Sequence, residues 1–339
     1  MTGQTSMQEP PLPNDHPTPG GDRPPLRLGT RRSALAMAQS GMIADAVAAV
    51  TGREVELVEI TTYGDVSREA LAQIGATGVF VSALRDALLA GTIDFAVHSL
   101  KDLPTAAPEG LVLAAVPTRE DPRDALVARD GLTLAELLEK GDAHRPARIG
   151  TGSPRRMAQL NAWAAAQGLA VETVPIRGNV DTRIGYVRSG ELDAVILAAA
   201  GLHRLGRLAE ATEVIDADVM LPAPGQGALA VECAATNTEL AAALAALDDA
   251  PTRAAITAER TLLAALEAGC SAPVGALAVP TTQGEADEME LRALVGTVDG
   301  ATVVQMSATG HGAPDELGRG LAAQLLAAGA AGLMGERTK

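Results

Sequence analysis

Leu26-Arg27-Leu28-Gly29-Thr30-Arg31-Arg32-Ser33 comes back, altered, as Arg148-Ile149-Gly150-Thr151-Gly152-Ser153. In each copy a short apolar run ends in Gly-Thr, a polar turn follows, and a helix-forming stretch begins. The first stretch runs from Ala34 to Val50 with Gly52 past its end, the second from Pro154 to Gln167 with Gly168 as its stop. Ser153 reads as the N-cap and Pro154 as the first helical residue. Met37-Ala38-Gln39 returns as Met157-Ala158-Gln159, and Gly91-Thr92-Ile93-Asp94 as Gly190-Glu191-Leu192-Asp193. Three matches in one order point to two units of like construction.

Around these words the periodicity predicts strands at 55–60 and 93–97 and a helix at 78–90 in the first unit. In the second it predicts strands at 171–174 and 192–197 and a helix at 179–188. Strands alternating with helices imply α/β units with parallel, doubly wound sheets, whose ligands bind beyond the carboxyl ends of the strands. Two such units face to face make a cleft. Leu221 to Ala228, rich in Gly and Pro, reads as a rigid connection returning the chain to the first unit through a strand at 229–233. A helix at 259–268, a hairpin 291–298/301–306 across Asp299-Gly300 and a helix at 315–328 read as a small C-terminal α+β domain. Residues 1–25 carry seven prolines and read as a disordered tail. The expected domains are 26–119 with 228–245, then 120–227, then 246–339.

A chain of 339 residues with 47% apolar content can bury more than one core. Aromatics are 1%, so the cores must be built from Ala, Leu, Val and Ile, and base-stacking platforms are excluded. A net charge of −15 argues against general binding of nucleic acid or anionic membranes. Two cysteines make no disulfide framework, and five scattered histidines give no metal-ligand spacing. The most apolar stretch, 33–50, is interrupted by Gln39, Ser40 and Asp45. It reads as an amphipathic helix of a cytoplasmic protein rather than a membrane span or export signal.

The basic residues are 24 Arg and three Lys, and their places are informative. Arg31-Arg32 and Arg155-Arg156 stand at equivalent turns beside helix N-termini, where free N–H groups favour an anion and guanidinium forks match carboxylates. Thr30, Ser33, Thr151 and Ser153 add hydroxyls there; the bland reading is solvated surface charge. Arg177, Arg183 and Arg204 follow other strand ends. His98-Ser99-Leu100-Lys101-Asp102-Leu103-Pro104 lies at another. There Asp102, ionised among cations, suits stabilising a developing positive charge. An ordinary surface Lys–Asp pair in a Pro-ended turn fits the same residues. His98 reads as an inward-facing structural residue. Cys233 reads as an inert buried thiol. Cys270 lies in a Gly-Cys-Ser-Ala-Pro loop past a helix C-terminus, which argues against a thiolate of protease or redox type and is compatible with a slow, once-only covalent attachment.

From about Leu26 to the C-terminal helix the chain resembles the hydroxymethylbilane synthase, or porphobilinogen deaminase, family. The carriers are residues 28–33, 97–104, 119–125, 150–156, 176–183, 224–228 and 267–275. The resemblance implies two domains like the halves of a periplasmic solute-binding protein, plus a third. It also implies a dipyrromethane cofactor held through a thioether on Cys270. Four porphobilinogen molecules are then joined head to tail with loss of ammonia, and water releases hydroxymethylbilane. By position Asp102 matches the family's catalytic carboxylate. Arg31, Ser33, Arg177 and Arg204 match side chains for the substrate's acetate and propionate, and Gln226 a polar residue near the pyrroles. Ser99, Lys101, Thr151, Ser153, Arg155, Arg156 and Arg183 match holders of the cofactor's carboxylates. One departure stands out: Gln73 to Thr77 lacks the lysines familiar members carry there. The expected partner is a small molecule, with no metal, nucleic acid or membrane, and the expected state is a monomer. The competing readings are a non-catalytic clamshell protein binding small anions, which leaves Cys270 unexplained, and a ligand-responsive regulator, for which residues 1–25 offer no DNA-binding helices.

Overall fold

A computed structural model describes residues 23–61, 79–269, 271–281 and 288–334, without the side chains of Val79 and Phe80. The expectations for the tail up to residue 22, for Gln73 to Thr77 and for Cys270 lie outside the described residues.

The first unit begins β1 (Leu26–Thr30), α1 (Ala34–Thr51), β2 (Val55–Glu59), α2 (Val79–Leu89), β3 (Phe95–Ser99) and β4 (Leu111–Ala115). The second holds β5 (Asp124–Ala128), α3 (Leu134–Glu139), β6 (Ala147–Gly150), α4 (Pro154–Ala166), β7 (Val171–Val174), α5 (Val180–Arg188), β8 (Ala194–Ala198), α6 (Ala199–Arg204) and β9 (Glu213–Val214). The chain then returns to the first sheet as β10 (Leu229–Ala234), followed by α7 (Thr238–Leu244). Last come α8 (Ala250–Ala265), β11 (Val274–Pro280), β12 (Glu288–Gly296), β13 (Val303–His311) and α9 (Pro314–Ala327).

The two large sheets have equivalent orders, β2-β1-β3-β10-β4 and β7-β6-β8-β5-β9. They make two doubly wound α/β units, and the chain ends in a small α+β unit. They are not wholly parallel as expected. β10 runs antiparallel to β3 and β4, and β5 antiparallel to β8 and β9. Each crossing runs between the units without a helix, and the strand it delivers enters the next sheet antiparallel to its neighbours.

The repeated words do the same physical work in both units. Asp94 accepts from the backbone N–H of Arg27 at 2.7 Å, and Asp193 from that of Arg148 at 2.8 Å. Gly29 leaves room for Ile93, whose Cδ1 lies 2.3 Å from where a Cβ would stand, and Gly150 does so for Leu192 at 2.5 Å. Ile93 and Leu192 are therefore spent under the neighbouring strand. Strands β3 and β8 start two residues later than the apolar pattern implied, at Phe95 and Ala194. Gly52 and Gly168 are left-handed, as helix stops require, at φ 64° and 70°. Ser33 caps α1 by accepting from the Ala36 N–H, but Ser153 makes no such bond on α4. Instead the Ser153 N–H donates to the Thr151 hydroxyl, and Pro154 alone starts the helix.

Helix α1 is long and apolar enough by length and composition to cross a membrane. Here it packs Ile43, Ala44 and Val47 into the aliphatic core of the first sheet. In the third unit α8 starts at Ala250, nine residues before the expected Glu259, with Asp249 capping Thr252. The hairpin turn at Gly300 has φ 71°, and a Cβ there would lie 2.3 Å from the Ala162 nitrogen. The glycine thus supplies the turn and also lets the hairpin lie directly on α4.

Candidate active site

The carboxyl ends of β3, β6 and β8 and the two crossings, around residues 116–123 and 220–228, meet in one polar cluster. Ser99 ends β3 and exchanges hydrogen bonds with Gln39 of α1, at 3.1 Å from the amide. A tight turn at 100–102 then presents Lys101 and Asp102. Asp102 is exposed. Lys101 is half-buried, and its Nζ donates to Gln226 Oε1 at 3.3 Å. Gln226, 1% exposed, donates from its amide to the Pro122 carbonyl and to Asp124 Oδ1, at 2.7 and 2.8 Å.

Asp124 is the hub. It is fully buried at the start of β5, with Arg156 donating to Oδ1 at 2.7 Å and Arg155 2.8 Å from Oδ2. Burial works against its ionisation, but the two guanidinium groups outweigh it and hold the carboxyl far below the usual carboxylate range. The arginine pair of the second turn is therefore not solvated. Arg155 and Arg156 are 3% and 5% exposed and also bond the Leu221 and Ile196 carbonyls. The first pair divides. Arg32 turns to solvent and pairs with Glu59 at 2.9 Å, whereas Arg31 is half-buried. Equivalent turns thus do not bring equivalent pairs to the cluster: Asp124 draws in both arginines of the second turn, whereas Glu232, the buried acid of the first unit, is taken by Arg85 and His98.

Burial, tempered by Asp102, pushes Lys101 down to about 8, and Arg155 and Arg156 add to the fall. Burial and then Arg156 lower Arg183, which places that side chain against the same cluster; its Nε donates to the Gly178 carbonyl at 2.9 Å. Arg204 sits at the end of α6 and donates to the Gly227 carbonyl at 2.6 Å, bridging the second unit to the returning strand. Its neighbour His203 lies 3.1 Å from Glu120 of the other crossing. Arg177 is exposed just past Ile176. Thr151 is fully buried and Ser153 half-buried at the end of β6, and Ser33 is half-buried in the matching turn. Cys233 is buried, which raises its thiol. Among the described residues no group of His, Cys, Asp and Glu could hold a metal ion.

Three residues went unnoticed in the sequence. Asp124 opens the otherwise apolar strand Asp-Ala-Leu-Val-Ala, and that lone acid was the available signal. Arg119 and Glu259 meet at 2.7 Å, with Glu259 fully buried on α8, where the apolar face of that helix should have exposed it as an anomaly. A second buried cluster lies deeper in the first unit. His98 and Arg85 flank Glu232 at 3.3 and 2.7 Å, which makes His98 structural, as its inward position implied. Burial alone would raise Glu232, but His98 and Arg85 hold it down to about 2.

The whole described cluster is cationic. Lys101, Arg155 and Arg156 gather around Asp102 and Asp124, with Arg183 beside Arg156, and the Nε atoms of Arg155 and Arg204 are buried with no hydrogen-bond partner among the described residues. A donor set of this kind fits a ligand carrying several carboxylates.

Comparison with known proteins gives the same direction. Residues 26–242 match the family model described as porphobilinogen deaminase, dipyromethane cofactor binding domain, and residues 253–327 match the porphobilinogen deaminase C-terminal domain. Porphobilinogen deaminase 1 of Streptomyces avermitilis is 72% identical over 92% of this chain and 98% of its own. Porphobilinogen deaminase 1 of Streptomyces coelicolor is 70% identical over 93% and 98%. The porphobilinogen deaminase of Thermobifida fusca is 58% identical over 84% and 85%. With models covering both the cofactor-binding part and the C-terminal domain, the chain belongs to the porphobilinogen deaminase family.

Proposed function

We propose that the polar cluster between the two sheets is where this transferase carries out its family's reaction. That reaction deaminates four porphobilinogen molecules and joins them head to tail, releasing hydroxymethylbilane and ammonia. Each condensation breaks the aminomethyl C–N bond of one substrate, forms a C–C bond to the preceding pyrrole, and releases that pyrrole's α-proton. Water completes the release. The observation that carries the assignment is the excess of cations in the Lys101–Gln226–Asp124–Arg155–Arg156 network.

When bound, the dipyrromethane cofactor supplies the pyrrole end to which substrate is added, and Cys270 is the residue assigned to hold it by a thioether. Lys101, Arg155, Arg156 and Arg183 hold its carboxylates, the Nε of Arg155 being without a partner among the described residues, with Ser99, Thr151 and Ser153 offering hydroxyls. Asp124 keeps the two arginines fixed, so little reorganisation is needed when a carboxylate arrives. Arg31, Ser33, Arg177 and Arg204 orient the substrate's acetate and propionate. Asp102, exposed on its turn beside Lys101, stands where an ionised carboxylate stabilises positive charge developing as ammonia departs. Gln226 holds the Lys101 ammonium in register with the cluster.

The units supporting this arrangement are taken as 26–119 with 228–245, 120–227 and 246–339. The protein is read as a cytoplasmic monomer acting on a small molecule, with no nucleic-acid or membrane partner. The net charge of −15 supports the exclusions, and light scattering at the monomer mass tests the state. A non-catalytic anion-binding clamshell is not favoured, since the family models and relatives are those of the enzyme.

The deciding experiment weighs the denatured protein. An adduct of dipyrrole mass, absent in Cys270→Ala, is expected; an unmodified mass in protein that turns over substrate overturns the assignment. Asp102→Asn is expected to abolish most turnover while keeping the adduct, and near-normal turnover removes Asp102 from its role.

A further inference from the structure

The turn that carries Lys101 and Asp102 is held from outside its own unit. Arg260 of α8 donates from Nη1 to the carbonyls of Leu100 and Leu103, at 3.4 and 3.1 Å, and from Nη2 to that of Pro104 at 2.7 Å. One helical turn earlier, Ile256 packs into the same buried cluster as Leu100 and Leu103. The turn closes on itself through the Leu103 N–H, 3.1 Å from the Leu100 carbonyl. Its carbonyl end is the negative end of its peptide dipoles, where a cation is favoured. A guanidinium reaches three carbonyls from two nitrogens, which the single point of an ammonium cannot. Asp102 itself is exposed, so its place is set through the backbone of this turn.

We propose that Arg260 is a positioning residue for Asp102. It fixes the turn to α8, and so holds the backbone from which Asp102 projects. The adjacent Glu259 anchors that helix to Arg119, Gly225 and Ala278. Two neighbouring side chains on α8 therefore reference the third unit to both crossings and to the turn. The proposal rests on the assignment of Asp102 given above.

The test uses the loaded enzyme, with the adduct verified by mass, and four variants: Arg260→Met, Arg260→Lys, Asp102→Glu and the Met/Glu double. Arg260→Met is expected to lower kcat at least tenfold with KM within twofold of the parent, and Arg260→Lys to fall between. In the Asp102→Glu background, where the carboxylate is already displaced by a methylene, Arg260→Met is expected to cost less than a further twofold. A merely structural role gives equal losses in both backgrounds, or KM rising with kcat unchanged, and either result overturns the proposal. If Arg260→Met fails to fold, Arg260→Lys decides by the same split of kcat from KM. Failure of the underlying assignment is separately visible, because Asp102→Asn would then keep near-normal turnover.

Discussion

Replacing Glu259 with Gln changes one oxygen to an amide nitrogen and nothing else in shape. Every partner of Glu259 is a donor. Oε1 accepts from Arg119 Nη1 and the Ala278 N–H at 2.7 and 2.9 Å; Oε2 accepts from Arg119 Nη2 and the Gly225 N–H at 3.0 and 2.7 Å. Whichever oxygen is lost, two N–H groups come to face an NH2 group, and the largely buried Arg119 guanidinium loses its counter-charge. Breaking a buried pair by removing one charge costs about 3–5 kcal/mol. With an m-value of about 3 kcal/mol/M in urea, the unfolding midpoint should fall by roughly 1–1.7 M. Circular dichroism follows the whole chain, and the sole tryptophan, Trp163, packs against the core of the second sheet and reports on that unit. Both traces should move together if Glu259 ties the units into one cooperative body. A midpoint within roughly 0.3 M of the parent would refute the reasoning. So would Arg119→Met adding its full cost on top of Glu259→Gln, since partners in one network should not be additive.

Glu232 is held near 2 in the fold against an ordinary 4.5, so its contribution is complete above pH 4.5 and is lost as pH falls toward 2. The loss should be on the order of 3 kcal/mol, and Glu232→Gln should flatten that limb of a urea-measured stability profile; an unchanged slope contradicts it. Lys101, lowered from 10.5 to about 8, sheds its proton in the fold before it would in the unfolded chain. Stability should therefore rise as pH climbs from about 8 toward 10.5. Lys101→Met should remove that rise from a urea-measured stability profile, and a persisting rise assigns it to another group. Gly227 has φ 88°, and a Cβ there would lie 2.4 Å from the Glu120 carbonyl, so Gly227→Ala should cost about 2–4 kcal/mol by thermal or urea unfolding. Gly41→Ala, with nothing within 4 Å on α1, should cost nothing, and equal effects at the two sites would contradict the packing.

Much of the fold was legible because the repeated words carry local consequences. Gly29 and Gly150 must make room, Asp94 and Asp193 must latch the strand beside them, and each job leaves a residue type behind. Strand sense was not legible. β10 pairs with β3 and β4 across more than a hundred residues, and nothing in Leu229–Ala234 states its direction. At the site, Lys101, Arg155, Arg156 and Arg183 were found by charge at strand ends. Their actual environment was hidden, because it depends on Asp124, which arrives from another strand. The divergence of Arg32 toward Glu59 has the same origin: two turns of like sequence meet different neighbours. Arg260 was invisible in sequence, since an arginine on a helix gives no sign of which carbonyls it will reach.

The interior place of β10 has a consequence for synthesis. The first sheet is begun by β1 at Leu26, yet β3 and β4 are joined only by a strand that starts at Leu229, whereas the second sheet has all its strands once Val214 is made. A chain emerging from the ribosome can therefore finish its second unit while the first still waits with open edges. Non-local pairing of this kind is slow and leaves backbone groups unsheltered in the interval. On this topology the order of maturation runs against the order of translation, and a nascent chain halted before residue 229 should be cleaved by protease in the first unit and resist it in the second.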